Sequence, residues 1–455
     1  MANRFYLCPF YILFKFLRYD DLRSLNQVDK YIKNNIRDKT NLKIYIKKNI
    51  NHQEHIIYLN KNFKKFQVYM GYLLQPNDDI LKIYNHKIKS LSLYVNNDIT
   101  DESIIRLTGL TCLDITFNVM ITGNCLQNLT NLKRLHLSYN PCIHDTSLKL
   151  LTNLQKLYLN DNKFITFDGI STLKKLKFLS LERNNMINDS LSQLTALTSL
   201  NLYKNNLVTD NGIITLTNLK VLNVSENLCI TDKGIMGLTN LKALICGPLI
   251  TDESIIHSTK LTMLSTGTST IGDKSLMVLK DLNTLKIGNK QITFNGLSEC
   301  KNIRTLEIHN DAHISPLLPN SNNKTIIENV KKNCLNVSSL STSKNMVVDN
   351  DLLIYFQNLT ELDLTNNETI TDDGLKNLNN LKKLVLNKNT IITNKGIEHM
   401  KTLECLQIQK NTSITDEGID SLMSLSKLYI SSESNIKNMD VLKQRNVKVI
   451  NRDIW

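Results

Sequence analysis

The sequence predicts an α/β fold: a right-handed solenoid curved like a horseshoe, with a parallel sheet on its concave side, short helices on its convex side and a small α-helical N-terminal segment. Three observations carry this expectation. A unit recurs sixteen times, starting at Ile88, Leu110, Leu132, Leu154, Leu176, Leu197, Leu219, Leu241, Leu261, Leu282, Ile303, Val337, Leu359, Leu381, Leu403 and Leu425, and fourteen of the fifteen intervals are 20 to 22 residues. Aliphatic residues alternate just after each start. Asn recurs eight residues after the start in eleven copies, from Asn96 to Asn411. A chain of 455 residues suits such an array, because each unit packs only on its neighbours and the core grows without limit.

Three residues after each start stands a Leu (Leu91, Leu113, Leu135, Leu157), and two later another aliphatic (Leu93, Ile115, Leu137, Leu159). A period of two puts these on one face of a short strand and the intervening residues on the other. The recurring Asn follows where the chain turns out of the strand. An amide both donates and accepts, so a buried Asn there satisfies backbone groups that the turn leaves unpaired. About eleven residues after the start comes a second aliphatic column (Ile99, Ile121, Ile143, Ile230, Ile370, Ile436), often followed by Thr-Asp-x-Gly, as in Thr231 to Gly234, Thr371 to Gly374 and Thr415 to Gly418. Asp or Thr suits a helix N-cap, and apolar residues three apart (Leu375, Leu378) suit a short helix with one buried face. Because the acids recur with the repeat, they read as caps rather than catalysts.

Whole units such as LTNLKRLHLSYNPCIHDTSLKL and LTELDLTNNETITDDGLKNL resemble the leucine-rich-repeat family over residues 88 to about 446. The Ile-Thr-Asp-x-Gly-Leu segment resembles most the repeats of F-box/LRR proteins. The resemblance implies a non-enzymatic scaffold that binds a protein on its concave face.

The array departs from its rule twice. The interval from Ile303 to Val337 is 34 residues and contains Pro316, Pro319 and a Ser-Asn-Asn-Lys tract, which predicts an inserted loop near residues 309–336. The ladder Asn is replaced in the copies from Leu241, Leu261, Leu282 and Ile303, where the concave positions turn small or apolar (Ala243, Ile245, Met263, with Val221 just before). Exposed apolar surface marks a partner site, and repeat decay is the other explanation. Earlier copies place Tyr94, Arg134, His136, Tyr158, Phe178, Arg183 and Tyr203 at concave positions, residue types common among interface anchors.

Ahead of the array, apolar residues at Ile12, Leu13, Phe16 and Leu17 and then at Leu22, Leu25, Val28 and Ile32 have the spacing of two amphipathic helices. With Leu7, Pro9, Asp21 and Lys30 they resemble the F-box, Ile32 standing where that family commonly has Trp. The resemblance implies that residues 1–45 dock on a Skp1-like adaptor and cullin through Pro9, Ile12, Leu13, Leu17, Leu22 and Val28, while the repeats hold a protein substrate for ubiquitin ligation. The other reading of the segment is a cap on the first repeat. Residues 46–87 read as a basic flank containing degenerate repeats, and residues 447–455 as a C-terminal cap.

Charge and cysteine usage bound the function further. The net charge is +13, but residues 1–90 carry 17 Lys and Arg against 7 Asp and Glu, so the array is nearly neutral and lacks the basic stripe expected of a nucleic-acid reader. Nine scattered cysteines without metal spacing read as free thiols. No run of 18 uncharged apolar residues exists, so no membrane partner is expected, and no phosphate loop, metal cluster or paired nucleophile points to an enzyme or a cofactor. The expectation is an intracellular scaffold, cytoplasmic or nuclear (in a host cell if the chain is viral), monomeric outside its complex. A plain leucine-rich-repeat binding or structural protein, cytosolic or a secreted surface ligand, is the alternative.

Overall fold

In the computed structural model, the residues described are 41–46, 50–62, 65–309, 336–342, 349–353 and 355–451, and they divide into two compact units, Met1–Val208 and Thr209–Trp455. The first holds eight parallel strands: β1 (Asn41–Tyr45), β2 (Lys65–Met70), β3 (Ile88–Ser92), β4 (Cys112–Asp114), β5 (Arg134–His136), β6 (Lys156–Tyr158), β7 (Phe178–Ser180) and β8 (Ser199–Asn201). The second holds β9 (Val221–Asn223), β10 (Ala243–Ile245), β11 (Met263–Ser265), β12 (Thr284–Ile287), β13 (Thr305–Ile308), β14 (Ser339–Ser341), β15 (Glu361–Asp363), β16 (Lys383–Val385), β17 (Cys405–Gln407), β18 (Lys427–Ile430) and β19 (Lys448–Asn451), again parallel.

The sixteen expected copies are β3 to β18. Two boundaries move. The segment expected over 1–45 gives way at Asn41 to β1, which is joined by the helix His52–Asn62 to its parallel partner β2, and β2 lies inside the flank read as containing degenerate repeats. The supposed cap beyond residue 446 is also a strand, since β19 continues the ladder to Asn451. The inserted loop falls largely at residues 310–335, outside the described residues, yet Leu306 on β13 is in direct register with Leu340 on β14, so the sheet runs on unbroken. The segment that resembles the F-box, with Pro9, Ile12, Leu13, Leu17, Leu22 and Val28, lies outside the described residues.

The columns read from the sequence are the core. Leu91, Leu113, Leu135, Leu157, Leu179 and Leu200 are buried, as is the second column from Ile99 to Val208 and, in the other unit, from Ile230 to Ile292 and from Ile370 to Ile436. Between most of the described strands runs a short helix, often a single turn such as Asp210–Ile213, because the period leaves no room for more. The Asn side chains form the expected ladder: Asn184 donates to the carbonyls of Leu159 at 3.1 Å and Asn162 at 3.0 Å and accepts from the Met186 amide. In the copy from Leu282 the ladder persists, contrary to expectation, one residue early. Asn289 donates to the carbonyls of Ser269 and Ile271 at 2.9 Å each.

Two features went unread in the sequence. The acid of Thr-Asp-x-Gly is not the cap. Thr caps the helix, as Thr231 does by accepting from the Lys233 amide, while the acid reaches the next repeat: Asp210 accepts from the Thr231 amide at 2.8 Å and its hydroxyl at 2.7 Å. The same joint links Asp145 to Thr166, Asp232 to Thr251, Asp273 to Thr293 and Asp372 to Thr393. The residue before the ladder Asn also adopts a left-handed backbone, from Val95 (φ 54°) through Phe117, Tyr139, Asp161, Arg183 and Lys204 to Glu226, and again at Asn366, Lys388 and Lys410. A side chain there costs about 1–2 kcal/mol, and a β-branched one is least suited. Val95→Gly is therefore expected to stabilise the protein by about 1 kcal/mol, seen as a rise in the denaturant midpoint; an unchanged or lower midpoint would show that the exposed Val95 side chain earns more by contact than the backbone loses.

Candidate functional site

Strand residues that alternate with the core face solvent from the sheet, and parallel register aligns them in rows perpendicular to the strands at about 4.8 Å per step. In the first unit one row runs Tyr45, Tyr69, Ser90, Cys112, Arg134, Lys156, Phe178, and the next runs Ser92, Asp114, His136, Tyr158, Ser180. The expected residues Arg134, His136, Tyr158 and Phe178 meet here. His136 stacks on Tyr158 with ring centroids 4.0 Å apart and planes 14° apart, and Tyr158 leans on Phe178 at 4.7 Å. Burial pulls the His136 imidazole below its usual range against the opposing pull of Asp114, with Arg134 reinforcing the shift.

Beyond the strand ends a second aromatic series follows the left-handed positions. Tyr94 meets Phe117 edge-on at 5.9 Å, and Phe117 stacks on Tyr139 at 4.2 Å with planes 11° apart. Arg183 donates to the Tyr139 hydroxyl at 2.6 Å and forks onto Asp161 at 3.0–3.1 Å, with Glu182 also within 3.2 Å. Arg183 is thus tied into its own face. Tyr203 is half-buried with the Lys204 ammonium 5.1 Å from its ring centroid. Tyr94, Arg183 and Tyr203 therefore belong to this rim rather than to the strand rows.

In the second unit Val221, Ala243 and Met263 share one row and Ile245 stands in the next, so the expected apolar patch is contiguous; Val221 is exposed and the others half-buried. Further along, Glu307 accepts from His309 at 3.0 Å and from Lys286 at 2.7 Å, which hold its carboxyl down to about 2 despite partial burial. Among the described residues no group of His, Cys, Asp and Glu is placed to hold a metal, the seven described cysteines are free, and no helix is long and apolar enough to cross a membrane.

Sequence reading missed Phe117, Tyr139, Tyr45 and Tyr69. Phe117 and Tyr139 were findable, since both stand one residue before the ladder Asn, a column that the strand alternation does not include. Tyr45 and Tyr69 lay ahead of the supposed first repeat.

Leucine-rich-repeat family models match residues 152–196 as a two-copy unit and residues 128–151, 215–238, 357–378 and 399–423 as single repeats. Among solved structures the chain is similar to an internalin of Listeria monocytogenes (26% identity, 69% of this chain and 90% of that one, TM-score 0.49), to a complex of TLR13 with a single-stranded RNA (21%, 87% and 59%, TM-score 0.54) and to a leucine-rich-repeat protein of Leptospira interrogans (20%, 90% and 99%, TM-score 0.48). No curated protein matches by sequence. The fold is a leucine-rich-repeat solenoid, a scaffold suited to protein–protein interaction.

Proposed function

We propose that the protein is a non-catalytic receptor that holds a partner protein against the solvent face of the sheet, and that in the cytoplasm or nucleus it presents this partner to a cullin-RING ubiquitin ligase through residues 1–45. The observation that carries the binding half is the contiguous stack of His136, Tyr158 and Phe178, large rings with little conformational entropy left to lose. The ligase half is supported by the resemblance of Leu7 to Ile32 to the F-box.

Two experiments separate the halves. The full chain is expected to co-purify with a Skp1-like adaptor while Leu13→Asp with Leu22→Asp does not; a folded full chain that leaves the adaptor behind removes the ligase role. A photo-crosslinking residue at Phe178 is expected to capture a discrete cellular protein, and the capture should vanish when His136 and Tyr158 are both replaced by Ser. Capture unchanged by that double substitution would move the site off this face.

A further inference from the structure

The row Tyr45, Tyr69, Ser90, Cys112, Arg134, Lys156 has a profile that the core does not require. Its small members Ser90 and Cys112 floor a depression of about 490 Å³, with Tyr45 and Tyr69 on one side and Lys133, Arg134 and Lys156 on the other. The two tyrosine rings lie 5.2 Å apart, and Tyr45, at the end of the first described strand, is 68% exposed while its neighbours Ile44 and Ile46 are buried.

The cations are the informative part. Arg134 and Lys156 are direct register partners on neighbouring strands, and like charges so placed destabilise a sheet. Elsewhere on the sheet faces register partners pair opposite charges: Lys383 with Glu361 at 3.6 Å at the equivalent positions, and Lys286 with Glu307 at 2.7 Å in the next row. No acid among the described residues neutralises Lys133, Arg134 or Lys156 by an ion pair. The nearest candidate in the next row, Asp114, spends one carboxylate oxygen on the Ser92 hydroxyl and the other on the Thr116 amide. Another like-charged pair in register, Lys427 with Lys448, stands on the last strand of its unit without an aromatic wall.

We propose that this row binds an extended acidic segment of the partner protein, with Asp and Glu side chains over Lys133, Arg134 and Lys156 and an apolar side chain against Tyr45 and Tyr69. The proposal rests on the receptor reading and names the partner's chemistry. Arg134 and Lys156 come from fixed places on neighbouring strands and Lys133 from the residue just before β5, so the positive charge gathers at one end of the row and the tyrosines at the other, which suits an extended chain that carries carboxylates at one end and an apolar side chain at the other. From Tyr45 to Phe178 the row spans about 29 Å, the length of about nine extended residues. The unpaired like charges are then a cost of the free protein that the ligand relieves, and binding should weaken with salt.

The test uses the full chain and fluorescent nine-residue peptide pools (about 3.3 Å per residue over the row) whose central positions are Asp and Glu, Lys, or a single phosphoserine, together with a single-stranded uridine RNA. The acidic pool is expected to bind, the Lys pool not, and Arg134→Glu with Lys156→Glu to weaken binding at least tenfold with an unchanged melting temperature. Tyr69→Ala should weaken it without altering the salt dependence. Stronger binding of the phosphoserine pool, or binding of the RNA alone, overturns the assignment of the partner. Failure of every pool while Phe178 still crosslinks a partner overturns this proposal and leaves the receptor reading intact; failure of both removes the receptor reading as well.

Discussion

Replacing Asn389 by Leu is expected to destabilise the second unit by about 4 kcal/mol, several buried polar groups losing their partners at about 1–3 kcal/mol each. Asn389 is fully buried and makes four bonds: its amide nitrogen donates to the carbonyls of Asn367 at 2.7 Å and Leu364 at 3.3 Å, and its oxygen accepts from the amides of Ile391 and Ile392 at 3.1 and 3.0 Å. Leu matches its bulk and satisfies none of them. Asn389→Asp sharpens the test. A carboxylate keeps the two acceptor bonds but turns its other oxygen toward two carbonyls, so burial and repulsion raise its folded pKa above the unfolded value. That mutant should be least stable at neutral pH and recover as pH falls through the raised pKa, once the protonated acid can donate. Because repeat arrays open in sections, hydrogen exchange of the amides of Ile391 and Ile392 is the measurement of choice. Protection unchanged in either mutant would mean that the ladder is ornamental and the Leu columns alone hold the turns.

The second large effect inverts a familiar rule. Gly234 lies within the helix Asp232–Ile235, where Gly to Ala ordinarily gains about 1 kcal/mol. Here a Cβ would sit 2.4 Å from Asp210 Oδ1, 3.1 Å from Ile213 Cδ1 and 3.2 Å from Asp210 Cα. The Asp210 carboxylate cannot swing away without surrendering both bonds to Thr231. Gly234→Ala should therefore cost about 2 kcal/mol, in the range of an overpacked core site. The molecule contains its own control. At the equivalent place Ser254 donates to Asp232 at 2.5 Å and Ser275 donates to Asp252, so a Cβ is tolerated when its oxygen joins the carboxylate. Gly234→Ser should accordingly lose no more than half as much as Ala in a denaturant titration, and a Ser mutant as weak as Ala would refute the joint.

What the sequence made legible follows from what repeats. Columns of identical chemistry, such as Leu91 to Leu200 or the ladder Asn, announce themselves because each is enforced by the same local packing in every copy. The Asp to Thr joint was visible as a motif but not as a contact, since both partners are drawn from different repeats and local capping explains the same letters. Ahead of Ile88 the repeats were legible only as degenerate ones, without a register, because β1 and β2 are separated by a helix of eleven residues, His52–Asn62, in place of the usual short one. Of the candidate site, the rings at alternate strand positions could be read off directly. Those at the left-handed position, Phe117 and Tyr139, form a column of their own just before the ladder Asn, which the strand alternation does not include, so they are found only when that column is read for itself.

The joint between Asp210 and Thr231 has a consequence for how such an array can change in length. Every repeat that takes part carries a carboxylate for the unit after it and a threonine and glycine, or serine, for the unit before it, both at fixed places in the period. Removal of one whole unit brings together the same two halves from different parents, wherever within the period the cut falls. Removal of a fraction of a unit leaves an acid facing no hydroxyl. Growth and loss by whole units is thus chemically silent at the seam, and the surface rows, which take no part in the joint, are left free to diverge.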